Sequence, residues 1–423
     1  MLISYKYNNV FSFNQEAEFS MLAPSTRIKN RFPNNYKALT NGYDVLKNAV
    51  IVGENAGGKT NFVKSIRYFI SFFIKNDPVR TRKSTVNCNN INNKCLKESK
   101  SNQSFEIILT NLEGRIYKYF LEIDFAGIIK EELYFKNSKS TSYKSVVLVE
   151  RIKNDYTCKY DAESCKKEGC HMQGSMQYKL TVPQMNDSIK NMIEDSVIDN
   201  GMVIGLFVSK MALLGNRYAV DFINMVKNDI CPESYAMNYD LYLSMFDEKK
   251  YLDILKTNEF LDIFKMVDYS IYKIKVDEED PFVETMIYRK KKNGVSFSRK
   301  IASDSSGVRE FLAWAIQIYR VVYENKIVIA DEMDRVLNPI LSDRVIAFIN
   351  GKEHFGQFIF TSHNILHLNL KNYMKEQIYF ISKNVENLES ELYSLSDFPE
   401  VRYETTKIYE FYMKGILGGT AIE

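Results

Sequence analysis

The run Gly53-Glu54-Asn55-Ala56-Gly57-Gly58-Lys59-Thr60 follows the apolar residues Ala49-Val50-Ile51-Val52 and precedes a helix-compatible segment over 61–72. Strand, glycine loop and helix in that order fit G-x-x-x-x-G-K-[ST]. In this pattern backbone N–H groups wrap nucleotide phosphates, an amine meets the β/γ oxygens and a hydroxyl meets Mg²⁺. Lys59 is the amine and Thr60 the hydroxyl, while Gly53, Asn55, Gly57, Gly58 and Asn61 complete the expected contacts. Glycine is needed where a Cβ would block the approach.

A phosphate loop alone serves several chemistries, and three further clusters narrow the choice. Ile327-Val328-Ile329-Ala330-Asp331-Glu332 reads as a buried strand ending in two carboxylates. Successive side chains diverge at a strand end, so Asp331 can hold the Mg²⁺ shell while Glu332 acts as general base on the attacking water. Phe358-Ile359-Phe360-Thr361-Ser362-His363 is a second apolar strand, and a neutral His363 there can meet the γ-phosphate. Ser303-Asp304-Ser305-Ser306-Gly307 opens a helical stretch over 308–323, where serine hydroxyls and helix N–H groups make an anion site, an ordinary N-cap, or both.

The rest of the chain has to position these groups. With 423 residues, two lobes are expected, or one nucleotide-binding domain with insertions. Composition is that of a globular protein, 45% hydrophobic and 26% charged. A net charge of +3 neither demands nor excludes a nucleic-acid partner. Arg289-Lys290-Lys291-Lys292 and Arg299-Lys300 flank Asn293-Gly294, which reads as a charged, solvated hairpin, with a DNA-contact surface as the lesser reading. No apolar run reaches membrane-spanning length and no leader-like start is visible, so a cytoplasmic protein with reduced cysteines is expected. Cys158, Cys165, Cys170 and His171 lie close together but lack tight C-x-x-C pairs, so a solvent-facing loop is favoured over zinc.

Alternating runs at 105–109, 117–123, 132–135 and 146–149 predict an antiparallel sheet, after a polar, exposed stretch over 76–103. From 188 to 268 the spacing turns helical, as in Phe222-Ile223-Met225-Val226 and Phe260-Ile263-Phe264-Val267. Beyond the hairpin, helices and strands alternate to about residue 382, the pattern of a parallel α/β core. The expected division is 1–185 for the N-terminal part of a head with an antiparallel β lobe, 186–270 for a helical insertion, and 271–423 for the C-terminal part of the head.

The order of phosphate loop, Ser-Ser-Gly helix start, Asp-Glu strand and His strand resembles ABC-type ATPase heads of structural-maintenance, break-repair and RecF-like proteins. Further motifs are Met1-Leu2-Ile3-Ser4 through Phe11-Ser12-Phe13, Asp331-Glu332-Met333-Asp334 with Leu337-Asn338-Pro339, Thr361-Ser362-His363-Asn364, and Val401-Arg402 with Tyr412-Met413-Lys414-Gly415. Together they resemble the ATPases of abortive-infection systems, among them the overcoming-lysogenization-defect (OLD), AbiL, RloA-like and PARIS ATPases. The resemblance implies an α/β ABC-ATPase head that binds ATP and Mg²⁺ between two copies of itself. Ser305, Ser306 and Gly307 would then complete the neighbouring subunit's site. It also implies an anti-phage sensor, triggered by a phage product or DNA, that controls a separate effector such as a Toprim-type nuclease.

Departures are Val308, where the family commonly has Thr, and Asn338, where it has His. The Mg²⁺-sensing glutamine has three candidates, Gln103, Gln173 and Gln177. Sixty residues, 364–423, follow His363, and the chain has no Asp-x-Asp pair, so no nuclease activity of its own is expected. The alternative function is a RecF- or SMC-like DNA-binding repair ATPase. A plain nucleotide kinase or GTPase is disfavoured by the Ser-Ser-Gly and histidine motifs.

Overall fold

The computed structural model describes residues 1–25, 27–76, 102–124, 127–154, 176–183, 205–233, 249–281, 283–333, 337–384, 386–404 and 407–418, with a few short pieces between them. Two sheets dominate. The antiparallel sheet has seven strands in the order Met176–Thr181, Lys144–Asn154, Gly127–Lys136, Ile116–Asp124, Gln103–Thr110, Leu2–Asn8 and Ala17–Ser20. Period-2 alternation makes it one-sided: Phe105, Ile107 and Leu109 point inward, as do Tyr117, Tyr119, Leu121 and Ile123. All four predicted runs lie within its strands.

The core sheet has six strands in the order Ile230–Glu233, Ile327–Ala330, Gln357–Ser362, Asn48–Gly53, Ile378–Lys383 and Ser390–Ser394. The first five run parallel and the last is an antiparallel edge. Its central strands are buried on both faces, which explains their continuous apolar runs. Alternate residues of Asn48–Gly53 serve different cores. Ala49 and Ile51 face the helix Lys59–Lys75 and the antiparallel lobe, whereas Val50 and Val52 face the core beneath Ser306–Glu324 and Pro339–Gly351. This is an α/β fold with a parallel phosphate-loop sheet and an antiparallel β lobe.

Lys59–Lys75 is the seam between the sheets. Phe69 and Phe73 pack on Tyr119 with ring centroids 6.1 and 5.4 Å apart. Helices Phe207–Leu213 and Arg217–Asn224 cover the same sheet, with Phe222 stacked 4.9 Å from Tyr119. Lys249–Leu255 and Asn258–Phe264 instead pack under Ser306–Glu324.

Three local expectations change. The segment read as a helical insertion also supplies Ile230–Glu233, an edge strand too short for periodicity to show; an edge position is where Pro232 is tolerated. Gln103 is not in an exposed loop but is the buried first residue of a strand. Residues 77–101 lie outside the described residues, as do Cys165, Cys170, His171 and the Cys158 side chain. Arg289 does not belong to the solvated cluster: it is buried, while Lys290, Lys291 and Lys292 are exposed around the predicted hairpin turn. Among the described residues no helix is long and apolar enough to cross a membrane.

Candidate nucleotide site

Strand register collects the predicted residues on one edge. Ala330 lies beside Phe360 and Phe360 beside Val50, so Asp331 and Glu332 leave the sheet level with Thr361 and Ser362. Ser362 pairs with Val52, which places His363 next to Gly53 at the carboxyl ends of adjacent strands. Crevices at such ends are where parallel α/β sheets bind ligands.

The phosphate loop is held tightly. A Cβ on Gly53 would lie 2.2 Å from the Ile381 carbonyl oxygen, so only glycine lets the neighbouring strand approach. Gly58 has φ 122°, and its added Cβ would meet Ser390 Oγ at 2.4 Å. Lys59 is 5% exposed, and its amine donates to the Gly53 and Glu54 carbonyls, both at 2.7 Å. Phosphate oxygens would compete well for that ammonium, because they carry full negative charge where the two carbonyl oxygens carry only partial charge. No side chain caps the start of Lys59–Lys75 and its first turn carries no carboxylate, so the helix N-terminus suits an anion.

Ser12 and Ser390 brace this loop, a role the sequence did not reveal. Asn61 Nδ2 donates to Ser12 Oγ at 2.8 Å, the two serine hydroxyls share a 2.7 Å hydrogen bond, and Ser390 Oγ donates to the Gly57 carbonyl at 2.6 Å. Ser390 N–H also donates to Ser12 O at 2.8 Å. Asn61 is therefore tied to the protein's own hydroxyl chain.

Asp331 is buried, and its Oδ1 accepts the Thr361 hydroxyl at 2.5 Å. That hydroxyl accepts the Glu332 N–H at 2.8 Å. Glu332 has φ 52°, a left-handed conformation uncommon for a non-glycine residue, just where the chain leaves the strand. Strain of this kind persists where surrounding structure holds it, here through Thr361. His363 is exposed, one residue beyond its buried strand.

Ser305, Ser306 and Gly307 start the helix Ser306–Glu324, and Ser305 caps it by accepting the Val308 N–H at 3.4 Å. Val308 thus contributes its backbone here, and its side chain is buried. Ser305 and Ser306 are exposed, and a Cβ on Gly307 would meet nothing within 4 Å. The chain's own packing does not require that glycine. Arg289 anchors the segment: its Nε donates to Asp268 Oδ2 at 2.7 Å and its Nη2 lies 2.8 Å from Asp304 Oδ2. Asn338 caps Pro339–Gly351 through the Leu341 N–H at 3.0 Å, a local role for the second departure.

Two of the glutamine candidates, Gln103 and Gln177, belong to the antiparallel sheet. Gln103 donates to Asn9 O at 2.8 Å and accepts from Tyr68 OH at 2.9 Å inside the antiparallel lobe. Gln177 is exposed on that lobe's edge strand, and the Gln173 side chain is outside the described residues.

No family model matches the chain, and no curated protein matches it. Among solved structures it is similar to an SMC head bound to the C-winged helix domain of ScpA (13% identity, TM-score 0.43, covering 93% of this chain and 97% of that one). An SMC head domain from Thermotoga maritima shows 10% identity and a TM-score of 0.43, covering 93% of this chain and 98% of that one. An Smc head with an extended coiled coil, bound to the C-terminal domain of ScpA and derived from Pyrococcus furiosus, shows 13% identity and a TM-score of 0.39, covering 93% and 96%. These likenesses are distant.

Proposed function

We propose that the chain is an ABC-type ATPase whose hydrolysis gates an assembly. The observation that carries this reading is the register that sets the phosphate loop, Asp331-Glu332 and His363 on one edge of three adjacent parallel strands. Gly53, Asn55, Gly57 and Gly58 shape the cradle, Lys59 binds the β/γ-phosphates, and Thr60 and Asp331 are the protein's oxygen ligands toward Mg²⁺. Two such ligands suit this ion, which keeps several waters and takes the rest from phosphate. When bound, Mg²⁺ would neutralise charge developing on the phosphates. Glu332 takes the proton of the attacking water, and His363 meets the γ-phosphate and holds the reactants in line.

Ser305, Ser306 and Gly307 serve the site of a second copy. The support is the exposure of the two serines, together with a glycine whose missing Cβ nothing in its own chain requires. ATP would thus join two heads. The defence role rests on the motif resemblance: a cytoplasmic sensor, responding to a phage product or DNA, that holds or releases a separate effector and cuts no nucleic acid itself. Lys59→Ala should abolish ATP turnover and weaken ATP binding while thermal unfolding stays near the parental value. Unchanged turnover in that variant would refute the site assignment.

A further inference from the structure

Ile271–Lys275, Met286–Lys290 and Ser296–Lys300 form a separate three-stranded antiparallel sheet just ahead of Ser305. Its three five-residue strands contain Lys273, Lys275, Arg289, Lys290, Arg299 and Lys300 and not one carboxylate. Residues directly opposite one another share a face. Lys273 opposes Tyr288 and Tyr288 opposes Ser298; Lys275 opposes Met286 and Met286 opposes Lys300; Lys290 opposes Ser296. One face therefore carries four lysines around Tyr288, with two serines, while Ile287 and Arg289 point the other way and are buried.

The edge strand Ser296–Lys300 is exposed along its whole length. Tyr272 is 42% exposed, and its ring centroid lies 6.4 Å from that of Tyr288, over which Lys273 Nζ sits at 5.5 Å. Nearby carboxylates leave most of this charge uncompensated. Glu284 pairs with Lys300, Glu278 with Lys256, and Asp277 accepts its own loop's N–H groups at Glu279 and Asp280. Among the described residues Lys273, Lys275 and Lys290 enter no ion pair.

We propose that this face binds single-stranded nucleic acid, the lysines meeting phosphates and Tyr272 and Tyr288 stacking on bases. Cations interleaved with aromatics on an open sheet match a strand whose bases are unstacked; a duplex offers such a surface only its phosphates. The reverse face connects the sheet to the nucleotide site. Arg289, between Tyr288 and Lys290, grips Asp304, and Asp304 Oδ1 accepts the Ser305 N–H at 3.0 Å. A strand held on the outer face thereby bears on the start of the Ser305–Gly307 helix. The binding surface stands independently of the proposed ATPase reading, on which only this coupling rests.

The test uses the whole protein without nucleotide and fluorescein-labelled oligothymidylate and oligouridylate of about twenty nucleotides, longer than the roughly 4–16 that a single-strand groove covers. Anisotropy should show binding to at least one, with affinity falling steeply as salt rises. The triple change Lys273→Ser, Lys275→Ser, Lys290→Ser should weaken it at least about tenfold and flatten the salt dependence. Tyr272→Ala with Tyr288→Ala should weaken it while leaving the salt slope unchanged. With ATP present, oligonucleotide should alter turnover of the parent but not of the lysine variant, whose basal rate should match the parent's. Circular dichroism melting shows whether both variants fold. No binding to either oligonucleotide at low salt, equal binding by a folded lysine variant, or displacement by duplex DNA as effective as by single strands would each overturn the proposal.

Discussion

The Thr361 hydroxyl donates to Asp331 Oδ1 at 2.5 Å and at the same time accepts the backbone N–H of Glu332 at 2.8 Å. One buried oxygen on the histidine strand thus orients both acids of the neighbouring strand. It holds the carboxylate read as a metal ligand and the left-handed backbone of the proposed base. Thr361→Val keeps the shape and removes the hydroxyl. ATP turnover should fall by roughly 10–100-fold, as for loss of an outer partner of a metal ligand, and more Mg²⁺ should be needed for half-maximal rate. Thr361→Ser should restore most of both. A parental Mg²⁺ titration in the valine variant would show that Asp331 needs no such support.

The phosphate loop was legible because its residues are contiguous and flanked by an apolar strand and a helix. The acidic and histidine strands announced themselves as short apolar runs ending in Asp331-Glu332 and His363. What sequence could not reveal are partners brought together only by folding. Thr361 and Asp331 are 30 residues apart, and Ser12 and Ser390 are 378 apart. Arg289 looked like one more lysine-flanked surface cation, yet its pleat position turns it inward onto Asp268 and Asp304. Gln103 adjoins a polar stretch and gave no sign that Tyr68 and Asn9 would bury it.

Whether the site is shared between subunits is open to complementation. Ser306→Arg should bind ATP but not hydrolyse it alone, and Lys59→Ala should be inactive alone. Mixed, they should recover part of the parental rate, because one mixed arrangement pairs an intact phosphate loop with an intact serine segment. Absence of recovery, with subunit exchange shown by differently labelled copies, would place the complete site within one chain.

Glu131 links stability to pH. It is fully buried on Gly127–Lys136, with Oε2 accepting the Phe207 N–H at 2.8 Å and Oε1 accepting the Val208 N–H and Tyr119 OH, both at 3.0 Å. Burial pushes its pKa up to about 7, against the opposing pull of these three donors. Because the folded value exceeds the unfolded 4.5, the folded state holds the proton more tightly. This contribution to stability is complete below pH 4.5 and is lost as pH rises through about 7, a change on the order of 3 kcal/mol. Urea unfolding at pH 5 and pH 8 should therefore show a larger loss in the parent than in Glu131→Gln. The same loss in both would mean that Glu131 does not titrate in that window.

The central claim, that ATP joins two heads and its hydrolysis releases them, is tested most directly by Glu332→Gln. The change removes the base, keeps the side chain's size and removes a negative charge near the γ-phosphate. Hydrolysis should slow by roughly two to four orders of magnitude while ATP binds at least as well as to the parent. Light scattering with ATP and Mg²⁺ should then show the variant accumulating as a closed assembly that the parent forms only transiently. Hydrolysis at the parental rate would place the base elsewhere, and blocked hydrolysis with no ATP-dependent change in mass would contradict gating by paired heads.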